Sequence, residues 1–171
     1  MDWGLIFETA LSQLVGTTAC YFALAAIGLN IHFGYTGLLN FGHAGFMTVG
    51  AYGLGITVQY LEWPWWIGIG MGILAAVVFA LLLGIPTLRL RADYLAIVTI
   101  AASEVVRISV RATALSDVTG GSNGINGFAN GFYDLNPYSS GVDLGIIDFR
   151  ANQLWVLTVG WTLVILSGLF V

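Results

Sequence analysis

Residues 34–53 read GYTGLLNFGHAGFMTVGAYG and lie within a longer segment, Thr9 to Leu61, that contains no Asp, Glu, Lys or Arg. A charge-free run of this length is untypical of a soluble protein, and one membrane-spanning helix needs about 20 apolar residues. The run therefore predicts two membrane crossings with a turn between them. Its glycines weaken a water-exposed helix, but small residues let helices in a membrane approach each other closely.

The composition of the whole chain also indicates a helical membrane protein. Of its 171 residues, 58% are hydrophobic and 8% are charged, whereas a soluble domain has about a quarter of its residues charged. The apolar runs are long and unbroken, unlike the short alternating segments of a β-barrel. The net charge is −4 and lysine is absent, which argues against a nucleic-acid partner because such partners require a basic face.

Hydropathy, turn residues and aromatic clusters predict an all-α integral membrane protein, a polytopic bundle of about five transmembrane helices. We interpret residues 1–171 as one partial transmembrane domain, and the apolar last residues predict truncation at the C-terminal end. The predicted spans, in chain order, are 9–29, 38–61, 65–85, 94–112 and 152–171. Residues 113–151, rich in Gly, Asn and Ser, are predicted to form a loop.

The positive-inside rule gives a predicted orientation. The short loop that carries Arg89 and Arg91 is predicted to be cytoplasmic. The 113–151 loop and the amino end then lie outside, and the carboxyl end lies inside. Arg107 and Arg111 lie near the opposite side of the membrane, so the numbers of basic residues on the two sides are nearly equal and do not by themselves decide the orientation.

The third span carries a strip of small residues. They recur at every fourth position, which places them on one helical face and predicts a close helix–helix seam. These helix-packing residues are Gly68, Gly72, Ala76, Ala80 and Gly84.

The fourth span contains the ionisable groups. Glu104 lies about 15 Å along the helix from Tyr94, close to the middle of a bilayer. It precedes Arg107 by three residues, so the two side chains share a face next to Ser103. A charge at this depth must face protein or water. Two interpretations stay open: an internal pair that pins helix packing, or groups that line a solute route.

The polar residues of the 34–53 segment also allow two interpretations. Close helix packing is one. The other is a kinked or partly unwound helix whose backbone groups face a translocation route. In that case Asn40, His43 and Thr48 are the candidate polar contacts, with the 40–45 portion as the lining.

Catalytic and metal chemistry are disfavoured. His43 has no second His or Cys at metal-ligand spacing, so no metal site is predicted. No nucleophile-elbow pattern surrounds Ser103, and we assign no catalytic residues. The segment TGGSNG, residues 119–124, lacks the GK[ST] of a phosphate-binding loop, and turn chemistry explains its glycines better.

Three blocks of sequence, taken in order, resemble one transporter family. They are GYTGLLNFGHAGFMTVGAY (34–52), GIPTLRLRADYLAIVTIAASEVVRI (84–108) and VTGGSNGING (118–127). Their order and spacing are similar to those of the LivM-type permeases of branched-chain amino acid ABC importers. The resemblance covers about residues 28–127 and is weaker in the first span and in 134–150.

The resemblance implies a permease that translocates branched-chain or related hydrophobic amino acids across a bacterial or archaeal plasma (inner) membrane. Implied partners are a LivH-like second permease, two cytoplasmic ABC ATPases and an extracytoplasmic solute-binding protein. The ATPases hydrolyse ATP, so the permease is not an enzyme and needs no cofactor. The family's ATPase-coupling loop would follow residue 171.

Three alternatives are kept. A urea or short-chain amide permease belongs to the same class. An ion-coupled secondary transporter would use Glu104 as a proton or cation site. A membrane-embedded enzyme is disfavoured because the sequence shows no nucleophile–base pair.

Overall fold

The structure is a computed structural model that describes residues 3–37, 40–87, 89–143 and 148–171. Helices dominate these residues. They are α1 (Trp3–Val15), α2 (Thr17–Asn30), α3 (His43–Gln59), α4 (Trp65–Thr87), α5 (Ala92–Arg111), α6 (Ser116–Thr119), α7 (Asn130–Tyr133) and α8 (Ala151–Phe170). A π-helical turn, Ile31–Tyr35, extends α2. Two short strands, β1 (Val142–Asp143) and β2 (Asp148–Phe149), pair antiparallel before α8.

The chain forms two compact units, one of residues 1–35 with 133–171 and the other of residues 36–132. In the first unit α2 and α8 run side by side in the same direction. Cys20 lies against Gly160, where a Cβ atom would be 3.1 Å from the Cβ of Cys20. Farther along, the Tyr35 hydroxyl donates a hydrogen bond to the carbonyl of Val171. The residue order is the same on both helices, so they are parallel, as the predicted first and fifth spans require.

In the second unit α3 and α4 form an antiparallel pair. A Cβ atom at Gly72 would lie 2.6 Å from the carbonyl oxygen of Gly50, and one at Gly68 would lie 2.7 Å from Cγ2 of Val58. Backbones approach this closely only where side chains are absent. Residue numbers in these contacts increase along α3, from Gly50 to Val58, while they decrease along α4, from Gly72 to Gly68. The two helices are therefore antiparallel.

The predicted strip of small residues on α4 therefore contacts α3 over only part of its length. Gly68 and Gly72 are buried in the contact with α3. Ala76 also lies on this side, because a Cβ atom at Gly50 would be 3.9 Å from that of Ala76. Farther along α4, Ala80 is exposed, and apart from the neighbouring backbone of α4 itself no described atom lies within 4 Å of a Cβ built at Gly84.

Helix boundaries differ from the predicted spans at three places, which are Gly16, the start of α3 after Gly42, and Pro86. The predicted span 9–29 is interrupted at Gly16, whose backbone is extended (φ −66°, ψ 172°), and α2 starts at the next residue. The predicted span 38–61 becomes helical only at His43, with Leu38 and Leu39 outside the described residues. Pro86 lies inside the last turn of α4, which ends at Thr87 rather than before the proline.

The 113–151 segment is more ordered than a plain loop. It contains α6, α7, the strand pair and two 3-10 turns, Thr113–Leu115 and Gly121–Asn123. Gly120 (φ +71°) and Gly124 (φ +68°) adopt the left-handed backbone that favours glycine. A Cβ atom at Gly120 would lie 2.1 Å from the carbonyl oxygen of Gly124. The glycines of the TGGSNG segment thus act in a turn.

Among the described residues, three helical segments are long and apolar enough to cross a membrane by length and composition: Thr17–Tyr35, Trp65–Thr87 and Ala151–Phe170. α3 is shorter, with 17 residues, and α5 carries Asp93, Glu104, Arg107 and Arg111. Five spans therefore stay a prediction. Large apolar side chains are exposed along the three segments, which is the surface expected of helices in lipid.

Candidate functional site

The start of α3 packs against the middle of α5 around a small buried polar cluster. The backbone N–H of Phe41 donates to the Thr99 hydroxyl over 3.2 Å, and that hydroxyl donates to the Ala96 carbonyl over 2.9 Å. The Asn40 side chain accepts a hydrogen bond from the Gly42 backbone N–H at 2.9 Å. Asn40 and Thr99 are 9% and 3% exposed. The cluster supplies hydrogen-bond partners where the backbone enters the helix, which a low-dielectric environment requires.

Two glycines make this contact possible. A Cβ atom at Gly42 would lie 2.8 Å from the Thr99 carbonyl oxygen, and one at Gly45 would lie 2.9 Å from the Cα of Ser103. Each distance is shorter than real Cβ contacts, so both positions require glycine unless the helices separate. The contact from Gly42 to Thr99 is followed by the contact from Gly45 to Ser103, so residue numbers increase in the same direction along both segments. The start of α3 is therefore parallel to α5. The 40–45 portion therefore packs against α5.

Thr99 is not among the predicted site residues. It precedes Ser103 by four residues and therefore lies on the same face of the helix. Its burial and its bond to Phe41 depend on a contact between residues 58 positions apart. The helical spacing was the one available signal, and it does not reveal which face meets another helix.

We expect Thr99→Val to destabilise the protein by about 1 kcal/mol, because it removes a buried hydroxyl that joins α3 to α5. The substitution conserves shape, so the loss reports the hydrogen bonds. Thr48→Val is the matched control, since the Thr48 hydroxyl donates to Ala44 at 2.7 Å within its own helix. Denaturant or thermal unfolding in detergent measures both. Equal stability of the two variants would contradict the prediction.

The other predicted pathway residues are placed as follows. His43 is the first residue of α3 and is half-buried. Thr48 lies one turn farther along the same helix, also half-buried. The Ser103 hydroxyl donates to the Ile100 carbonyl at 3.0 Å. Within the described residues, His, Cys, Asp and Glu side chains form no group of three that would hold a metal ion.

Glu104 and Arg107 form a two-bond ion pair on α5. Nε of Arg107 lies 2.8 Å from one carboxylate oxygen and Nη2 lies 2.5 Å from the other. This fork geometry is the strongest form of an Arg–carboxylate contact. The side chains are 50% and 51% exposed, so the pair neutralises itself on the outer surface of the second unit. Glu104 is the next residue after Ser103 in the sequence.

The family model described as "Branched-chain amino acid transport system / permease component" matches residues 13–170. The chain belongs to this family. The match begins near the end of α1 and extends to the last residue of α8, so it includes most of both units and every candidate pathway residue.

Two curated relatives carry the same description in more detail. The high-affinity branched-chain amino acid transport system permease proteins LivM of Escherichia coli (strain K12) and Salmonella typhimurium (strain LT2) are each 38% identical over 112 residues, which is 66% of this chain. The aligned part is 26% of each relative, so the chain spans about a quarter of their length. No solved structure matches the chain. The resemblance to LivM-type permeases is thereby confirmed.

Proposed function

We propose that the chain is part of the transmembrane permease subunit of an ABC importer that carries branched-chain or related hydrophobic amino acids inward. The family match over residues 13–170 is the observation that carries this proposal. It is supported by the three apolar helices and by the names of the two LivM relatives, which describe branched-chain amino acid transport. A permease of urea or short-chain amides is the second candidate within the same class.

The proposal includes partners that supply energy and selectivity. ATP is hydrolysed by two cytoplasmic ABC ATPases, and an extracytoplasmic binding protein delivers the solute. A second, LivH-like permease completes the membrane portion, in the plasma membrane of a bacterium or archaeon. The chain itself contributes helices and a route, and no chemical step.

Reconstitution of the full-length permease with its partner subunits tests the function. Leucine uptake into liposomes should require both ATP and the binding protein, and urea or acetamide should not compete. Competition by the amides would favour the second candidate. Uptake that follows a proton or sodium gradient without ATP would overturn the proposal in favour of a secondary transporter.

Glu104 is the residue that we propose to act on the route. Its pair with Arg107 is surface-exposed within the second unit, yet α5 is a predicted membrane span. In a bilayer such a pair must meet water or a protein surface, since lipid solvates neither charge. Ser103 precedes it by one residue and adds a hydroxyl near the same helical level. Asn40 is buried against α5 and is better explained by packing.

We expect Glu104→Gln to lower leucine uptake by roughly an order of magnitude, because it leaves the Arg107 charge without its carboxylate partner. Arg111→Gln is the matched control: Arg111 ends α5, where a long side chain reaches the membrane surface. Radiolabelled leucine uptake by equal amounts of reconstituted protein compares the two. Equal uptake by wild type and Glu104→Gln would contradict the role.

The exchanged pair Glu104→Arg with Arg107→Glu separates the two interpretations of these residues. If the pair only pins packing, the exchange restores folding and uptake together. If Glu104 acts on the route, the exchange restores thermal stability but uptake stays low.

A further inference from the structure

We infer that a polar cavity in the first unit, between α1, α2 and the start of α8, holds the solute during its passage through the permease. The occupant that its lining fits is a single amino acid with an aliphatic side chain. The inference rests on the proposed function and deepens it by giving the solute a place. It uses contacts within the first unit alone.

The cavity lies at the break between α1 and α2. α1 ends at Val15, the backbone of Gly16 is extended, and α2 starts at Thr17. The space beside this break has a volume of about 260 Å³, slightly below the range of about 300–1,000 Å³ for pockets that hold drug-sized ligands. It therefore has room for one small solute. The residues that line it are Ser12, Gln13, Gly16, Thr17, Thr18, Phe149, Gln153 and Leu157.

The cavity extends from the predicted membrane edge into the predicted span 152–171. Gln153, in the first turn of α8, lines its outer part, and Leu157 lies about 9 Å along the axis from the first residue of α8. Gly160 follows Leu157 on the same face and contacts Cys20 of α2, so the close α2–α8 contact lies just beyond the cavity. The predicted orientation places this end of α8 on the extracytoplasmic side, where a solute arrives.

Several polar groups that line the cavity have no partner in the chain. Elsewhere on the long helices, threonine hydroxyls donate to carbonyl groups of their own helix, as the Thr162 hydroxyl does at 2.6 Å. Among the residues that the structure describes, the hydroxyls of Thr17 and Thr18 and the side-chain amide of Gln13 make no hydrogen bond. All three residues lie inside the predicted span 9–29. Lipid offers no hydrogen bonds, so these groups require a polar occupant in the membrane.

The chemistry of the lining favours a neutral, partly apolar molecule over an ion. None of the eight described residues that line the cavity is charged, so an ion would be held there without a compensating charge. Hydroxyl and amide groups both donate and accept hydrogen bonds, which suits the ammonium and carboxylate groups of a zwitterionic amino acid. Phe149 and Leu157 add apolar surface for an aliphatic side chain. Urea and acetamide would use the polar groups alone.

Thiol protection tests the inference in the full-length permease, reconstituted in liposomes with its second permease and ATPases. Thr18→Cys, in a permease without other cysteines, is the reporter, and a membrane-impermeant charged maleimide is added from outside. Free leucine is titrated without the binding protein, because a docked protein would shield the thiol by itself. Ile165→Cys, exposed in the middle of α8, is the lipid-facing control.

We expect the maleimide to modify the Thr18→Cys variant faster than the Ile165→Cys variant, and leucine to slow the reaction of the former alone. Thr17→Val, added to the reporter, should raise the leucine concentration for half-maximal protection about fivefold, which corresponds to one lost hydrogen bond. Thr162→Val is the matched control and should leave that concentration unchanged, since its hydroxyl donates within α8. Both replacements keep the shape of threonine, so the reporter should react at the same rate without leucine.

Three results would overturn the inference. A reporter that does not react would show that water does not enter the cavity. Reaction that leucine fails to slow would show that the cavity holds water alone. Protection by acetamide or urea in place of leucine would assign the cavity to the second candidate class. Leucine uptake with ATP and the binding protein, measured in the same liposomes, separates a wrong site from a wrong function, because the importer function fails only where that uptake is absent.

Discussion

Gly72→Leu should destabilise the protein by about 3 kcal/mol, the upper end of the range for overpacking. A Cβ atom at this position would lie 2.6 Å from the Gly50 carbonyl oxygen, which is backbone and has no rotamer by which to move away. The side chain therefore forces α3 and α4 apart along the seam. The melting temperature in detergent and the yield of monodisperse protein measure the loss.

Gly70→Leu is the matched control for this substitution. It adds the same side chain to the same helix two residues away, where apart from the neighbouring backbone of α4 itself no described atom lies within 4 Å of a built Cβ. We expect this variant to purify and melt like the wild type. Equal losses in the two variants would show that leucine is harmful anywhere on α4 and that the seam does not set the stability.

Gly45→Ala should cost about 2 kcal/mol and reduce uptake, although alanine is normally the better helix former. The added methyl group would lie 2.9 Å from the Cα of Ser103, so α3 and α5 must separate to accommodate it. The displacement also moves the start of α3, where the Thr99 hydroxyl accepts the Phe41 N–H. Unfolding in detergent and leucine uptake are both expected to fall.

Gly50→Ala is the comparison on the same helix. There the nearest atom to a Cβ is the Gly72 carbonyl oxygen at 3.6 Å, an ordinary van der Waals distance. The helix gains propensity without a clash, so this variant should match or slightly exceed the wild type in stability. A Gly45→Ala protein as stable as Gly50→Ala would mean that the α3–α5 contact is looser than its geometry indicates.

Hydropathy predicted the starts of α4 and α8 closely, because it depends on properties that each segment carries by itself. α4 begins at Trp65, the first residue of its predicted span, and α8 begins one residue from its predicted start. The family could also be predicted, because three blocks of the sequence resemble those of LivM-type permeases in the same order. The break at Gly16 was missed, since one glycine among apolar residues does not reveal whether the backbone leaves the helix there.

Tertiary contacts could be predicted from the sequence only in part. The strip on α4 predicted a seam, but its length depends on the partner helix. Phe46, in the first turn of α3, faces Phe79 with ring centroids 5.0 Å apart. α3 does not extend past that level, so Ala80 and Gly84 have no α3 residue opposite them. The burial of Asn40 and Thr99 was likewise not predictable from the sequence, because it arises from packing between segments that are far apart in the chain.

The packing of Cys20 against Gly160 gives the first unit a built-in chemical reporter. The thiol is 4% exposed, and a Cβ atom at Gly160 would lie 3.2 Å from its sulfur, so a thiol reagent has no path to it while α2 and α8 remain together. In a full-length permease from which every other cysteine has been removed, the rate at which a small maleimide modifies Cys20 therefore measures how often these two helices separate. Comparison of that rate with and without ATP tests whether the separation is part of the proposed transport cycle.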